Sequence, residues 1–216
     1  MEDPASDERP AIVASTGDIE HAGRVAQTAD VLELRLDLGE ATIDDLAGYG
    51  GTPPLLLTDR DWPLHREPGG GLLREALELA DVWGVDVDRA TFGDGEVEAI
   101  VRRSGATLVC SAHLDTADDL AEAVATVDAL GDIGKVAVRC DDGDTFARLV
   151  EHAVDAVDEP VALMATGPYG PHSRLLAVAL EQPLVYGHVP EATPTATGQL
   201  DVETLRTVRQ ALATSA

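Results

Sequence analysis

Short apolar runs rich in β-branched residues recur along the chain. They read AIVAS from Ala11, DVLELRLDL from Asp30, PLLLTDR from Pro54, VWGVDVD from Val82, ATLVCSAHL from Ala106, KVAVRC from Lys135, PVALMAT from Pro160 and PLVYGHV from Pro183. Runs of this length, bounded by glycine, proline and polar clusters, predict strands. Between most of them apolar positions recur at helical spacing, as at Leu120, Val124 and Val127, or at Phe146, Val150, Ala153 and Val157. Thr116 and Asp144 are the expected N-caps of those two helices, and a last helix is expected from Val202 to Ala213. Eight strands alternating with helices predict a single-domain (β/α)8 TIM barrel over residues 1–216, with residues 1–10 a flexible acidic N-terminus. The competing open doubly wound sheet, in its dinucleotide-binding form, needs a glycine-rich turn after the first strand. The segment there, ASTGDIEHAG, has no GxGxxG.

Strand parity assigns directions to side chains. In the sixth strand Lys135, Ala137 and Arg139 share one face, while Val136 and Val138 take the other and suit packing on helices, so Lys135 is expected inside the barrel. In the second, Glu33, Arg35 and Asp37 alternate with Leu32, Leu34, Leu36 and Leu38, which sends three charges to the same interior. In the fifth, Val109, Ser111 and His113 alternate with Leu108, Cys110 and Ala112, and His113 falls at the C-terminal end, where barrels carry their active sites. Charges on the inner face need partners or a ligand.

Composition narrows the partners. The formal net charge of −25 is spread along the chain, and 44% of the 216 residues are hydrophobic, enough for a packed core. A field of this sign repels the phosphates of nucleic acid and of anionic membranes, so neither is an expected partner, and a substrate anion must be gripped by local arginines. Many acidic positions with scarce lysine and only two phenylalanines fit a protein adapted to a salt-rich cytoplasm. Such a chain is expected to lose stability on desalting, read as a falling melting temperature. Cys110 and Cys140 lie in predicted strands without a CxxC or a His/Cys cluster, and are expected to be buried apolar fillers. The N-terminus has no basic stretch leading into an apolar one, and no run approaches the ~18 apolar residues of a membrane helix, so a soluble, cytoplasmic protein is expected.

Against fourteen arginines the chain has a single lysine, Lys135, within the apolar run IGKVAV. Arginine stays protonated at any usable pH, whereas a lysine amine can be desolvated, lose its proton and attack a carbonyl. Salt adaptation accounts for scarce lysine in general. The position of the one that remains points to covalent amine catalysis or to an ammonium paired with an interior carboxylate.

Read together, ELRLD at Glu33, LTDR at Thr58, SAH at Ser111, GKVAV at Gly134, GPYGPHSR at Gly167 and TATGQ at Thr195 resemble the type I 3-dehydroquinate dehydratases, the Schiff-base class. The motifs fall in the family's order and span nearly the whole chain. The resemblance implies a hydro-lyase of the shikimate pathway that needs neither cofactor nor metal, is often homodimeric, and takes the small molecule 3-dehydroquinate. It implies Lys135 as the imine-forming residue, His113 as general base, general acid and proton shuttle, and Arg174 with Gln199 and Thr195 as the grip on the substrate carboxylate. Glu33, Arg35 and Arg60 would bind the ring hydroxyls and order the site. Thr195 stands where the family commonly has serine. Two positions depart further: Glu67 follows Arg60 at a long interval, and Asp86 with Asp88 replaces the family's Asp–Glu pair, so none of the three is assigned a role. Two other readings of a barrel with an interior lysine are a class I aldolase-like Schiff-base lyase and a non-catalytic anion-binding barrel. No glycine-rich phosphate loop follows the seventh or eighth strand, and the Arg174 and Gln199 pair favours a carboxylate.

Overall fold

The computed structural model describes residues 10–39, 41–60, 71–79, 82–91 and 95–214. The strands are β1 Ala11–Thr16, β2 Val31–Arg35, β3 Leu55–Thr58, β4 Val82–Asp88, β5 Thr107–Leu114, β6 Ile133–Arg139, β7 Val161–Thr166 and β8 Leu184–His188. They alternate with helices α1 Ala22–Val25, α2 Ile43–Leu46, α3 Gly71–Leu79, α4 Glu96–Ser104, α5 Leu120–Leu130, α6 Gly143–Asp155, α7 Gly170–Ala179 and α8 Val202–Ala213. All strand pairs are parallel, in the order β7-β6-β5-β4-β3-β2-β1-β8, which is the expected (β/α)8 barrel. Proline stands immediately before β1, β3, β7 and β8, where its missing N–H and fixed φ suit a strand start.

The two faces of the strands sort as their alternation predicts. Outward residues such as Leu32, Leu34, Val85 and Leu108 pack against the helices, as do Cys110, Val136 and Val138 on the other side of the barrel. Burying each such side chain contributes roughly 1.5–3 kcal/mol. Inward residues make a separate interior cluster that includes Val13, Val31, Leu56, Val109, Ile133, Ala162 and Leu184. Toward the C-terminal ends the interior turns polar, with Ser15, Glu33, Asp86, Ser111 and Lys135 all buried. The apolar layers plug the barrel, and the polar layer above them is where a ligand can be held.

Some expectations shift on the helices. The N-caps of α5 and α6 are Asp119 and Asp142, not Thr116 and Asp144; the Asp142 carboxylate accepts from the Thr145 amide at 2.8 Å. Thr116 instead bonds Asp118 in the preceding loop, because a hydroxyl bonds as readily to its own turn as to a helix end. The buried stripe of α6 is Leu149 and Ala153, while Val157 is 41% exposed just beyond the helix end. Pro10 is buried and its carbonyl accepts from Arg209 of α8 at 2.9 Å, so the flexible tail does not include it; residues 1–9 lie outside the described residues. No helix among the described residues is long and apolar enough to cross a membrane.

One seam of the barrel is built differently. Among the described residues β7 and β8 adjoin without a backbone ladder, and side chains satisfy the facing polar groups. Gln182 accepts from the Leu163 amide at 3.0 Å, Ser173 from the Ala165 amide at 2.9 Å, and Arg174 donates to the carbonyls of Ala165 and Tyr186. An unpaired buried backbone group costs about 1–3 kcal/mol, which these contacts avoid.

Candidate active site

The polar layer opens into a cavity of about 130 Å³, and all eight site residues expected from the sequence line it: Glu33, Arg35, Arg60, His113, Lys135, Arg174, Thr195 and Gln199. Lys135 is only 5% exposed, because its place on β6 turns it inward. Its Nζ donates to Asp86 Oδ2 at 2.7 Å and to Glu33 Oε1 at 3.0 Å, and lies 4.2 Å from the centre of the Tyr186 ring. Burial works against the ammonium, yet the charges of Asp86 and Glu33 outweigh it and raise the amine above its ordinary value. Burial likewise works against the Glu33 carboxylate, but Lys135, Arg35 and a hydrogen bond from Ser15 hold it down at about 2. Thr58 adds a further hydrogen bond to Glu33 at 3.0 Å. The resting lysine is therefore an ammonium on a fixed seat.

His113 ends β5. Its Nδ1 lies 3.2 Å from Asp88 Oδ2, and its Nε2 meets the Arg60 guanidinium. A guanidinium only donates, so Nε2 is the acceptor and Nδ1 carries the proton toward Asp88. Burial pulls the imidazole below its ordinary value, the Lys135 and Arg60 charges add to that, and the Asp88 hydrogen bond opposes them. A neutral ring with its lone pair on the cavity side is the form a general base needs.

Arg174, on α7, is 2% exposed and reaches into the β7–β8 seam, where its Nη1 also donates to Gly170 O at 3.2 Å. Among the described residues it has no carboxylate partner, and burial alone lowers it to about 10. Arg35, by contrast, is closed onto Asp37 by a two-pronged ion pair. Facing Arg174, Gln199 accepts from Thr195 Oγ1 and from the Ala196 amide, each at 3.2 Å, which turns its amide nitrogen away from them. Thr195 Oγ1 also lies 2.7 Å from Ser15 Oγ, and its single proton serves one of the two partners at a time. The TATGQ loop is docked on the start of α7: the Gly167 amide donates to Thr197 O at 3.1 Å, and a Cβ on Gly170 would stand 2.5 Å from Gly198 O. Glycine is required on both sides of that contact, since Gly198 has φ +80 and its own Cβ would fall 2.3 Å from Gly167 O.

Sequence reasoning left out several residues that the barrel brings together. Asp86 and Asp88, left unassigned, are the partners of Lys135 and His113; their shared parity in VWGVDVD was the available signal. Ser15, Thr58 and Tyr186 were not singled out, although each sits at an inward or C-terminal strand position. Glu67 and the 61–70 stretch lie outside the described residues. A wider cleft of about 860 Å³ meets the cavity at Thr195, but Asp18, Glu20, Asp45 and Glu191 line it and their field repels an anion. Among the described residues no group of three or more His, Cys, Asp or Glu side chains is placed to hold a metal ion.

The sequence model described as type I 3-dehydroquinase matches residues 14–216. The 3-dehydroquinate dehydratase of Haloarcula marismortui is 34% identical over 91% of this chain and 93% of that protein, and the one from Halobacterium salinarum 32% over 87% and 91%. In fold, the chain superposes on the type I 3-dehydroquinate dehydratase of Clostridium difficile with a TM-score of 0.81 at 20% identity, covering 97% of this chain and 95% of that one. A 3-dehydroquinate dehydratase structure from Geobacillus kaustophilus gives 0.78 at 22% identity, covering 96% and 92%. With the barrel, the inward lysine and a family match that runs from β1 to the C-terminus, the chain belongs to the type I 3-dehydroquinase family.

Proposed function

We propose that this chain removes water from 3-dehydroquinate to give 3-dehydroshikimate through an imine on Lys135, acting in the cytoplasm without a cofactor. The observation that carries the reading is the meeting, in one cavity, of a buried lysine, a histidine whose Nε2 lone pair accepts from Arg60, and a buried arginine with no carboxylate of its own among the described residues. Arg174 and the Gln199 amide receive the substrate carboxylate; with Nη1 and Nε committed to backbone carbonyls, Nη2 provides the grip. Arg35 and Arg60, on the cavity wall, are donors for ring hydroxyls. Glu33 orders the site by holding Lys135.

Lys135 first gives up a proton, and His113 Nε2 takes it once the Arg60 guanidinium has turned from that nitrogen to the substrate. The amine lone pair then adds to the C3 carbonyl carbon while the carbonyl oxygen takes a proton. That oxygen leaves with a second proton as water, and the nitrogen is left as an iminium with one N–H. The iminium withdraws electrons, so the C2–H bond breaks, its proton passes to His113, and its electron pair forms the enamine. The enamine pair returns as a C1–C2 double bond while the C1–O bond breaks, and the departing hydroxyl takes the proton back from His113. One water hydrolyses the conjugated iminium and restores the lysine. Two measurements in high salt test this: ultraviolet absorption of the conjugated enone on adding 3-dehydroquinate, and a stable mass on the Lys135 peptide when borohydride is added with it. Binding without either signal would favour a non-catalytic barrel.

A further inference from the structure

Tyr186 was not among the expected site residues, yet it forms the floor beneath Lys135. Its ring centre lies 4.2 Å from Nζ, it is 3% exposed, and its hydroxyl is buried with no hydrogen-bond partner among the described residues. We propose that the ring face of Tyr186 holds the reacting nitrogen as a cation once it has become part of an imine, and so keeps the imine in its protonated, electron-withdrawing form. The inference rests on the Schiff-base reading above and deepens it.

The argument turns on the number of N–H groups. The ammonium has three and spends two of them on Glu33 and Asp86. A protonated imine has one, so at most one of those hydrogen bonds survives imine formation. An aromatic face attracts a cation through its quadrupole and needs no N–H, so its contact persists. An imine nitrogen also holds its proton less tightly than an amine, which makes the surroundings decisive. Among the described residues the charged and titratable groups around this nitrogen and its cavity are Glu33 and Arg35 from β2, Arg60 after β3, Asp86 from β4, His113 from β5, Arg174 from α7 and Tyr186 itself from β8. The two carboxylates favour the cation. The arginines, and His113 when it carries the abstracted proton, oppose it.

The test replaces Tyr186 by phenylalanine and by a graded series of fluorinated phenylalanines ending in pentafluorophenylalanine, which keep the shape while weakening and then reversing the field of the ring. The pH dependence of kcat, of KM and of the borohydride-trapped Lys135 adduct is then measured. Y186F keeps the ring face and loses only the hydroxyl, so it is the reference against which the fluorinated rings are compared. The basic limb of kcat, and of trapping, is expected to move down with fluorine content, by about one pH unit for the pentafluoro ring, with KM changed less than ~2-fold. Coincident basic limbs across the series, with the adduct still formed, would overturn this inference alone. A parent protein that gives no adduct on Lys135 would overturn the Schiff-base reading and this inference together.

Discussion

Two of the buried cations that line the cavity, Lys135 and Arg174, are treated in opposite ways. Lys135 sits between Asp86 and Glu33 and is raised above its ordinary value, whereas Arg174 has no carboxylate partner among the described residues and is lowered to about 10 by burial. Equal burial with opposite compensation separates two tasks. An ammonium between two carboxylates is fixed in place with its charge spent on them, while a guanidinium without a carboxylate keeps its charge for an anion. One cation holds position for chemistry, and the other waits for charge.

The contrast is broken most severely at Lys135. K135R keeps a cation for Asp86 and Glu33 but cannot form an imine, so turnover is expected to fall by ~10⁴-fold or more while the melting temperature changes little. K135M should lose both activity and stability, by about 3–5 kcal/mol in urea unfolding, because it leaves two carboxylates buried without their cation. If K135R retains turnover, the lysine is only a partner for carboxylates.

At Arg174 the expected signature is different. R174M should raise KM by roughly 100-fold, in line with the 2–5 kcal/mol typical of truncating one member of a buried charge contact. It should also lower the melting temperature, since the carbonyls of Ala165, Gly170 and Tyr186 lose a donor. Quinate, which has the carboxylate but no ketone, should protect the parent protein against melting and fail to protect R174M. Equal protection of both would mean that the carboxylate binds elsewhere.

Acid sharpens the Lys135 half of the comparison. Glu33 is held at about 2 in the fold against an ordinary 4.5, so the folded state takes up that proton later than the unfolded chain. Its contribution, on the order of 3 kcal/mol for a buried group, is complete above about pH 4.5 and is lost as pH falls from there toward 2. E33Q should flatten that part of the stability curve measured by urea unfolding. The smallest effect is expected at Thr195: T195V removes the hydroxyl shared between Ser15 and Gln199 and should cost ~2 to 10-fold in kcat/KM, with T195S restoring it. A valine variant with unchanged kinetics would remove Thr195 from the site.

The barrel was legible because each strand announces itself twice, by an apolar run and by the alternation within it. Parity correctly sent Lys135, Glu33 and His113 inward, and Val136 and Val138 outward onto helices. Which inward groups meet across the barrel depends on the stagger between strands that are distant in sequence, and alternation contains no such information. Asp86 therefore looked like polar filling until β4 and β6 were seen to bring it within 2.7 Å of Nζ. Arg174 was read as a plain anion clamp, because its second set of contacts exists only where two strands fail to pair. The cap of α5 moved for a local reason, since the Thr116 hydroxyl is spent on the Asp118 amide and carboxylate within its own turn.

That unpaired seam has an evolutionary side. Backbone ladders hold neighbouring strands together whatever their side chains, so seven of the eight junctions in this barrel, with eight strands in the order given, are largely indifferent to substitution. The junction of β7 and β8 is written in Ser173, Arg174 and Gln182, and a single codon change can loosen it. Because one of those three letters, Arg174, also lines the cavity, change in the cavity wall and change in closure of the barrel are bound to the same position, and neither can be revised without rereading the other.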